Sequence, residues 1–505
     1  MKKSTRSTLR PAEPLINWEE RYAKSLGFQA YVYGFPWIYL SFLRWLWTTP
    51  GGYALQELRW LASKPDQRKK QKFPWAPINS FFNAHHTATP ENATGGSPNP
   101  NLLYSVAWLD LGPEPIVLHV PEITDRYYCM QMACLDSDNF AYVGTYATGT
   151  AAGDYLIAGP DWNGKMPKRA QGRVQDVLPR SRTPAALIFG RTKVKANDQS
   201  DLRLARSIQE RYRLTPLSAW PKLRPRRAHT KIDPHAFLDP RENAVGAWIE
   251  MNRAMAENPP GVPPGIDQSE LLRLFATIGV GPGQSWSDQS EATKKGLAAA
   301  AHEGLKFLPE MAQGRGKTVR NWTFPPNYIG RSGQNSDFIT RAAVQALAGV
   351  AAHDARQAVY INTALDCKGD RLTPGGEYTI TLGKNDFPAF DPTYHGYWSL
   401  TLYQVPGYNL VNHSTNYTVS SDDPVNSDGG MVIYLQHADP GQLSKGEYWL
   451  QSPPSVNPDN NEKITGIYLL LRVYVPGPEV WYTQTWLPPK IVPQVTTTPL
   501  PPPTS

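Results

Sequence analysis

SPNPNLLYSVAWLDL, Ser97 to Leu111, is the stretch whose reading decides the fold. Two Pro/Asn pairs set a turn, and from Leu102 the chain alternates through strand-forming residues and ends on Asp110. A polar turn feeding a strand is where a sheet carries its binding groups. The same punctuation returns in YHGYWSLTLYQ, Tyr394 to Gln404, which an Asn/His/Tyr-rich turn follows. Polar and aromatic groups therefore collect at strand ends twice, on two β-rich units.

Working outward, Asn79 to Arg191 contains short runs bounded by Gly, Pro, Asn or Asp: PIVLHV, RYYCMQMA, FAYVGTY, GDYLIAG and AALIFGRTKV. Strands of this length and spacing describe a β-sandwich. From Gln357 onward AVYINTAL, YTITLG, MVIYLQ and IYLLLRVYV repeat the pattern as a jelly roll. Between the two units AVGAWIEMNRAMAEN, QSELLRLFATIG and SEATKKGLAAAAHEGLKFL have helical spacing, with Asp267 and Ser287 or Asp288 as N-caps. The N-terminal region reads as one helix before Pro36 and another after it. The expected class is mainly β with helical insertions. Its parts are an N-terminal helical segment (1–78), an immunoglobulin-like β-sandwich (79–215), a helical linking domain (216–340), a jelly roll (341–490) and a disordered Pro/Thr-rich tail (491–505).

A chain of 505 residues exceeds one hydrophobic core, and 48 Pro with 39 Gly favour many turns over a solenoid. The net charge is +7, but the basic runs Asp66–Lys72 and Arg224–Arg227 come with no nucleic-acid-reading motif, so no nucleic-acid partner is expected. Three cysteines without CxxC spacing support neither a disulfide framework nor a zinc knuckle. No apolar run precedes Asn17, so there is no secretory signal and a cytoplasmic location is expected. Tyr31–Trp47 is apolar but contains Gly34, Pro36 and Arg44, so it reads as a buried or interfacial helix rather than a bilayer span, with lipid contact by its aromatic residues as the lesser alternative. Nucleotide-binding loops and the GxSxG elbow are missing from the sequence. No cofactor is assigned, no metal site is expected, and a homodimer is compatible with a jelly roll.

Candidate site residues follow from chemistry. Asn99, Asn101 and Tyr104 on the first turn, with Arg126, would orient a polar substrate. Asp136 and Asp138 share a strand face and can split acid and base roles, which makes Asp136 a candidate catalytic group. His395 and His413 are its candidate acid/base partners from the second β unit. Adjacent His85 and His86 cannot easily share one tetrahedral metal site. Tyr33, Tyr104, Trp398, Tyr403 and Tyr417 would line an aromatic pocket. Together these residues point to a nucleotide-independent hydrolase or lyase acting on a small polar or carbohydrate-like substrate in an interdomain cleft. The alternative is a non-catalytic small-molecule or carbohydrate-binding protein.

The chain resembles the family pairing domains of unknown function 1254 and 1214. The first resemblance rests on YVYGFP at Tyr31, SPNPNLLYSVAWLDL at Ser97, RYYCMQ at Arg126, LIAGPDWNGKMP at Leu156 and FGRTKV at Phe189. The second rests on YWSLTLY at Tyr397, LVNHSTNYT at Leu410, DGGMVIYLQ at Asp428 and LLLRVYVP at Leu469, with FATIGVGPGQ at Phe275 between them. The resemblance implies the sandwich, helical domain and jelly roll already read from the residues, and it supplies no reaction. Two departures stand out. The family's Asn-x-Asp-Thr is here Asn99-Pro100-Asn101-Leu102, and its Arg-Tyr-Ser is Asn416-Tyr417-Thr418; each replaces a charged group by a neutral one.

Overall fold

The computed structural model describes residues 17–49, 75–92, 96–195, 198–221, 244–261, 267–312, 315–405, 409–411, 414–458, 461 and 463–494. His413, both basic runs and the tail beyond Gln494 lie outside them. The first set of alternating runs becomes β1 (Phe82–Asn83), β2 (Leu102–Asp110), β3 (Ile116–Val120), β4 (Tyr128–Cys134), β5 (Asn139–Gly144), β6 (Gly153–Ile157), β7 (Ala185–Lys193) and β8 (Arg213–Pro216). A five-stranded sheet ordered β1-β2-β7-β4-β5 packs on a three-stranded one ordered β6-β3-β8. Side chains alternate across a strand, so Ala107, Leu109, Met130, Met132, Ala186 and Ile188 close one core with Ile116, Leu118 and Tyr155. The opposite face of the larger sheet is left for other partners.

The second set becomes β9 (Lys317–Val319), β10 (Trp322–Phe324), β11 (Ala358–Thr363), β12 (Tyr378–Leu382), β13 (Tyr397–Val405), β14 (Asn409–Leu410), β15 (Thr418–Ser420), β16 (Met431–Gln436), β17 (Glu447–Gln451), β18 (Gly466–Tyr474) and β19 (Ile491–Pro493). One sheet runs β14-β13-β18-β11-β10-β9 with β15 added to β13, and the facing sheet runs β17-β16-β12-β19. Val359, Ile361, Trp398, Leu400, Leu469, Leu471 and Val473 meet Ile380 and Ile433 in the jelly-roll core. Two expected boundaries shift. Ile491–Pro493, read as tail, pairs antiparallel with Tyr378–Ile380. Lys317–Phe324, read as part of the helical linker, joins the large sheet through β11.

α1 (Trp18–Thr48) runs unbroken through Pro36, where two helices were expected. Proline removes one backbone donor, but every residue from Ala30 to Leu40 is buried. Tertiary packing of a helix that is apolar all round outweighs that loss. α1 is wrapped by α3 (Ala244–Glu257), α4 (Ser269–Ala276), α5 (Glu291–Ala312) and a π-helical segment, Thr340–Ala348, so the N-terminal helix and the linker form one helical body. α2 (Gln199–Gln209) lies apart, with Asp198 as its N-cap. Ser290, not Ser287 or Asp288, caps α5, accepting from the Thr293 N–H at 3.1 Å. Trp37 Nε1 donates to the Asn258 carbonyl at 2.9 Å and Asn258 Oδ1 accepts from the Ala185 N–H at 2.8 Å, tying this body to β7. Among the described residues no helix is long and apolar enough to cross a membrane.

Helices α1 and α5 touch at backbone distance. A Cβ on Gly296 would stand 2.3 Å from the Glu20 carbonyl oxygen and 2.8 Å from the Lys24 nitrogen. Gly296→Ala is therefore expected to destabilise the protein by about 1–3 kcal/mol through overpacking, although alanine is the better helix former by about 0.5–1 kcal/mol. Urea unfolding of the full chain and circular dichroism of an α5 peptide should move in opposite directions. A variant more stable than the parent would refute the close packing.

Candidate functional site

The two β units face each other through sheet faces that neither core uses. On the first sheet, register places Tyr104 beside Arg191 and Arg191 beside Cys129, with Gln131 beside Phe189. On the second, Ser399 and Tyr360 flank Arg472 from either side, Tyr397 lies beside Tyr474, and Tyr403 beside Tyr468. Leu102, Tyr127, Cys129, Tyr142, Tyr397 and Tyr474 seal one side of the joint, and Tyr397 stacks on Tyr474 with centroids 4.4 Å apart.

The Ser97–Asn101 turn clamps the joint. Asn99 Nδ2 donates to the Tyr474 hydroxyl at 2.8 Å, and Asn99 Oδ1 accepts from the Asn101 N–H at 2.9 Å. Arg472 Nη2 donates to the Ser97 carbonyl at 2.5 Å and to the Tyr403 hydroxyl at 2.8 Å, while that hydroxyl donates to the Pro98 carbonyl at 2.7 Å. A hydroxyl relay extends from Arg472 Nη1 to Thr401 (3.3 Å), Thr418 (3.2 Å) and Asn101 Oδ1 (3.3 Å). The segment Asn99–Leu102 thus meets the segment Asn416–Thr418 through Thr418 and Asn101. Lys193 Nζ pairs with Asp422 at 2.7 Å and caps the Tyr397 ring at 4.4 Å.

Arg191 and Arg472 are 5% and 3% exposed, and both act on the same phenols, Tyr360 and Tyr474. Arg191 Nη1 donates to Gln131 Oε1 at 2.6 Å and to the Phe189 carbonyl at 3.1 Å. Gln131 Nε2 in turn holds the Ala351 and Ala352 carbonyls at 3.0 and 2.9 Å. Tyr104, Phe189 and Tyr360 keep accessible surface in this setting. Burial nonetheless pushes the Tyr360 phenol up, against the pull of both guanidiniums. Burial also pushes the Cys129 thiol up to about 12, which leaves it an inert neutral group. His353 is fully buried, and neither ring nitrogen has a hydrogen-bond partner among the described residues. It is stacked between Tyr142 and Tyr360, and burial and then Arg191 hold its pKa well below the usual imidazole value.

The residues singled out from sequence separate into four places. Asn99, Asn101, Tyr104 and Tyr403 belong to the joint, and Tyr417 packs beside it with Tyr403, Leu410 and Leu470. Trp398, expected in the pocket, points into the jelly-roll core and stacks on Phe387; its neighbour Tyr397 takes the joint-facing position. Asp136 lies near the helical body, bound through both oxygens to Arg182 Nη2 at 3.1 and 2.8 Å. Asp138 beside it accepts from the Gly333 and Gln334 N–H groups, and burial, then the Asp136 charge, raise its pKa. Tyr33 is in the helical core, donating to Gln268 at 2.6 Å. Arg126 is held by Asp125 at 2.7 Å and Asp201 at 2.9 Å. His395 follows a 3-10 turn in the left-handed region, φ 56°, near Asp125.

The residues that sequence reading passed over are Arg191, Tyr360, Arg472 and Tyr474. The available signal was an arginine following an apolar run within a strand, as in AALIFGRTK and GIYLLLRVY. Among the described residues no cluster of three His, Cys, Asp or Glu side chains is placed to hold a metal.

These features define a protein of two β-sandwiches docked face to face, with a helical body against the first. The model for a protein of unknown function, DUF1254, matches residues 78–216, and that for a second, DUF1214, matches 357–478. The chain belongs to the family that pairs these two domains in this order. The crystal structure of the VPA0106 protein from Vibrio parahaemolyticus is similar in fold, with TM-score 0.64 at 17% identity over 94% of this chain and 100% of that one. A putative uncharacterized protein from Burkholderia cenocepacia aligns over 96% of this chain and 90% of its own at 12% identity, with TM-score 0.39. No curated protein matches the sequence.

Proposed function

We propose that this protein binds a small molecule between its two β-sandwiches. The observation that carries the reading is the accessible surface kept by Tyr104, Phe189 and Tyr360 inside a desolvated joint. Aromatic walls with a few placed polar groups are the usual make-up of a ligand pocket. Binding is favoured over hydrolysis or elimination because an acid/base pair must converge within about 3 Å of one reacting atom. Asp136 is paired with Arg182, and His395 sits beside Asp125, so the two candidate groups belong to separate networks.

The test is ligand-observed NMR of the full chain against a panel of small aromatic and sugar-like probes, repeated on Leu470→Trp. Leu470 is cross-strand to Thr401 on the joint-facing side, so a tryptophan there fills the space. The expected result is binding by the parent and at least a tenfold loss in the variant, about 1.4 kcal/mol, with the circular dichroism spectrum kept. Equal binding by both proteins would place the ligand elsewhere and sink the proposal.

A further inference from the structure

We infer that the space between the sandwiches receives an organic anion, a carboxylate on a flat apolar body, gripped by Arg191 and Arg472. This rests on the pocket reading above and specifies its ligand.

Four other guanidiniums of the protein are matched by carboxylates. Arg126 pairs with Asp125 and Asp201, Arg182 with Asp136, Arg315 with Asp337 and Arg331 with Asp354, at 2.7–2.9 Å. Arg191 and Arg472 are buried, and among the described residues their partners are carbonyls, hydroxyls and one amide oxygen, never a carboxylate. Arginine stays charged in a protein, and a buried charge without a counter-charge is costly. Cation–π contact offsets only part of that cost: Arg191 lies 4.6 Å above Phe189 and Arg472 5.6 Å from Tyr403.

The two arginines also have donors to spare. Of five N–H groups each, Arg191 uses those of Nη1, and Arg472 uses one on Nη1 and both on Nη2. The enclosed, unpartnered atoms include Nε of Arg44, Arg182 and Arg341 but no nitrogen of Arg191 or Arg472. Nε and Nη2 of Arg191 and Nε of Arg472, which have no hydrogen-bond partner among the described residues, therefore keep some accessible surface. Arg341 shows the contrast: it is pressed on Tyr33, Trp37 and Phe338 with Nε sealed in. The Tyr360 hydroxyl likewise has no hydrogen-bond partner among the described residues and is not sealed. Charged donors and one phenol match an oxyanion, because a neutral sugar would also need acceptors. The partly bare rings of Tyr104, Phe189 and Tyr360 suit a flat apolar body.

The experiment measures dissociation constants of benzoate, its neutral isostere benzamide, and inorganic phosphate on the full chain, on Arg472→Gln and on Arg191→Gln. Expected is benzoate at least tenfold tighter than benzamide, with each substitution weakening benzoate roughly ten- to a hundredfold and leaving benzamide nearly unchanged. Arg191→Gln leaves Gln131 without its donor; if a variant fails to fold, the benzoate-to-benzamide ratio of the parent decides alone. Equal binding of benzoate and benzamide overturns the anion inference while the pocket reading stands. Phosphate binding as tight as benzoate overturns the organic body. Binding by none of the three overturns the anion inference, and the pocket reading then rests on the wider probe panel.

Discussion

Asp136→Ala is expected to lower the unfolding free energy by about 3 kcal/mol, the lower end of the range for breaking a buried ion pair. Asp136 and Arg182 have side chains only 6% and 14% exposed, so solvent screens little of the interaction. Removing the carboxylate strands a guanidinium whose Nε has no partner among the described residues. Its remaining acidic neighbour is Asp138 at 3.7 Å. The loss of Asp138's like-charged neighbour returns part of the cost, which is why the lower end applies. The same carboxylate also accepts the Asp138 N–H at 3.0 Å, so the turn loosens too. Urea unfolding checks the size of the effect, and the double variant Asp136→Leu/Arg182→Met should recover most of it. A loss under about 1 kcal/mol would mean that the pair is not structural, and would revive Asp136 as a chemical group.

His353 supplies the second large effect. An unfolded histidine titrates near about 6.5, whereas burial holds the folded imidazole well below that value. Between those two pKa values the unfolded chain binds more protons than the folded one. His353 therefore contributes stability that is intact above about pH 6.5 and lost on acidification, with a slope approaching 1.4 kcal/mol per pH unit. Asp138 acts in the opposite sense, since its raised folded pKa favours the native state as pH falls. The difference between parent and His353→Phe isolates the histidine. Urea midpoints from pH 7.5 down to 5 should fall more steeply for the parent; parallel lines would show that the ring is not held neutral by the fold.

The strands were legible because turn residues bracket alternating runs, but which face each strand presents was not. β13 buries Trp398 and Leu400 in its own core and Tyr397 and Tyr403 against the other sandwich. With both faces buried, period two has no polar side to orient it, so Trp398 was as plausible a pocket residue as Tyr397. The first turn was readable for the opposite reason: Asn99 and Asn101 cluster in sequence and act locally as well as across the joint. Arginines carry no such mark. Arg126 stood beside conspicuous polar residues, and only the distances to Asp125 and Asp201 show that it is already neutralised. Pro36 was read as a break because its local cost is visible in sequence, while the burial that outweighs it comes from α3 and α5, hundreds of residues away.

The joint is assembled from segments near residues 99, 191, 360, 403 and 472, so neither sandwich contains it alone. Each sandwich closes its own core from its own strands, so the joint is an interface between two closed units. Docking buries Arg191 and Arg472, which have no carboxylate partner among the described residues, and therefore proceeds against the desolvation of two guanidiniums. An anion that occupies this space would act as an assembly factor as well as a ligand, stabilising the docked form in proportion to its concentration. The abundance of mature protein in a cell would then follow the supply of the molecule it binds.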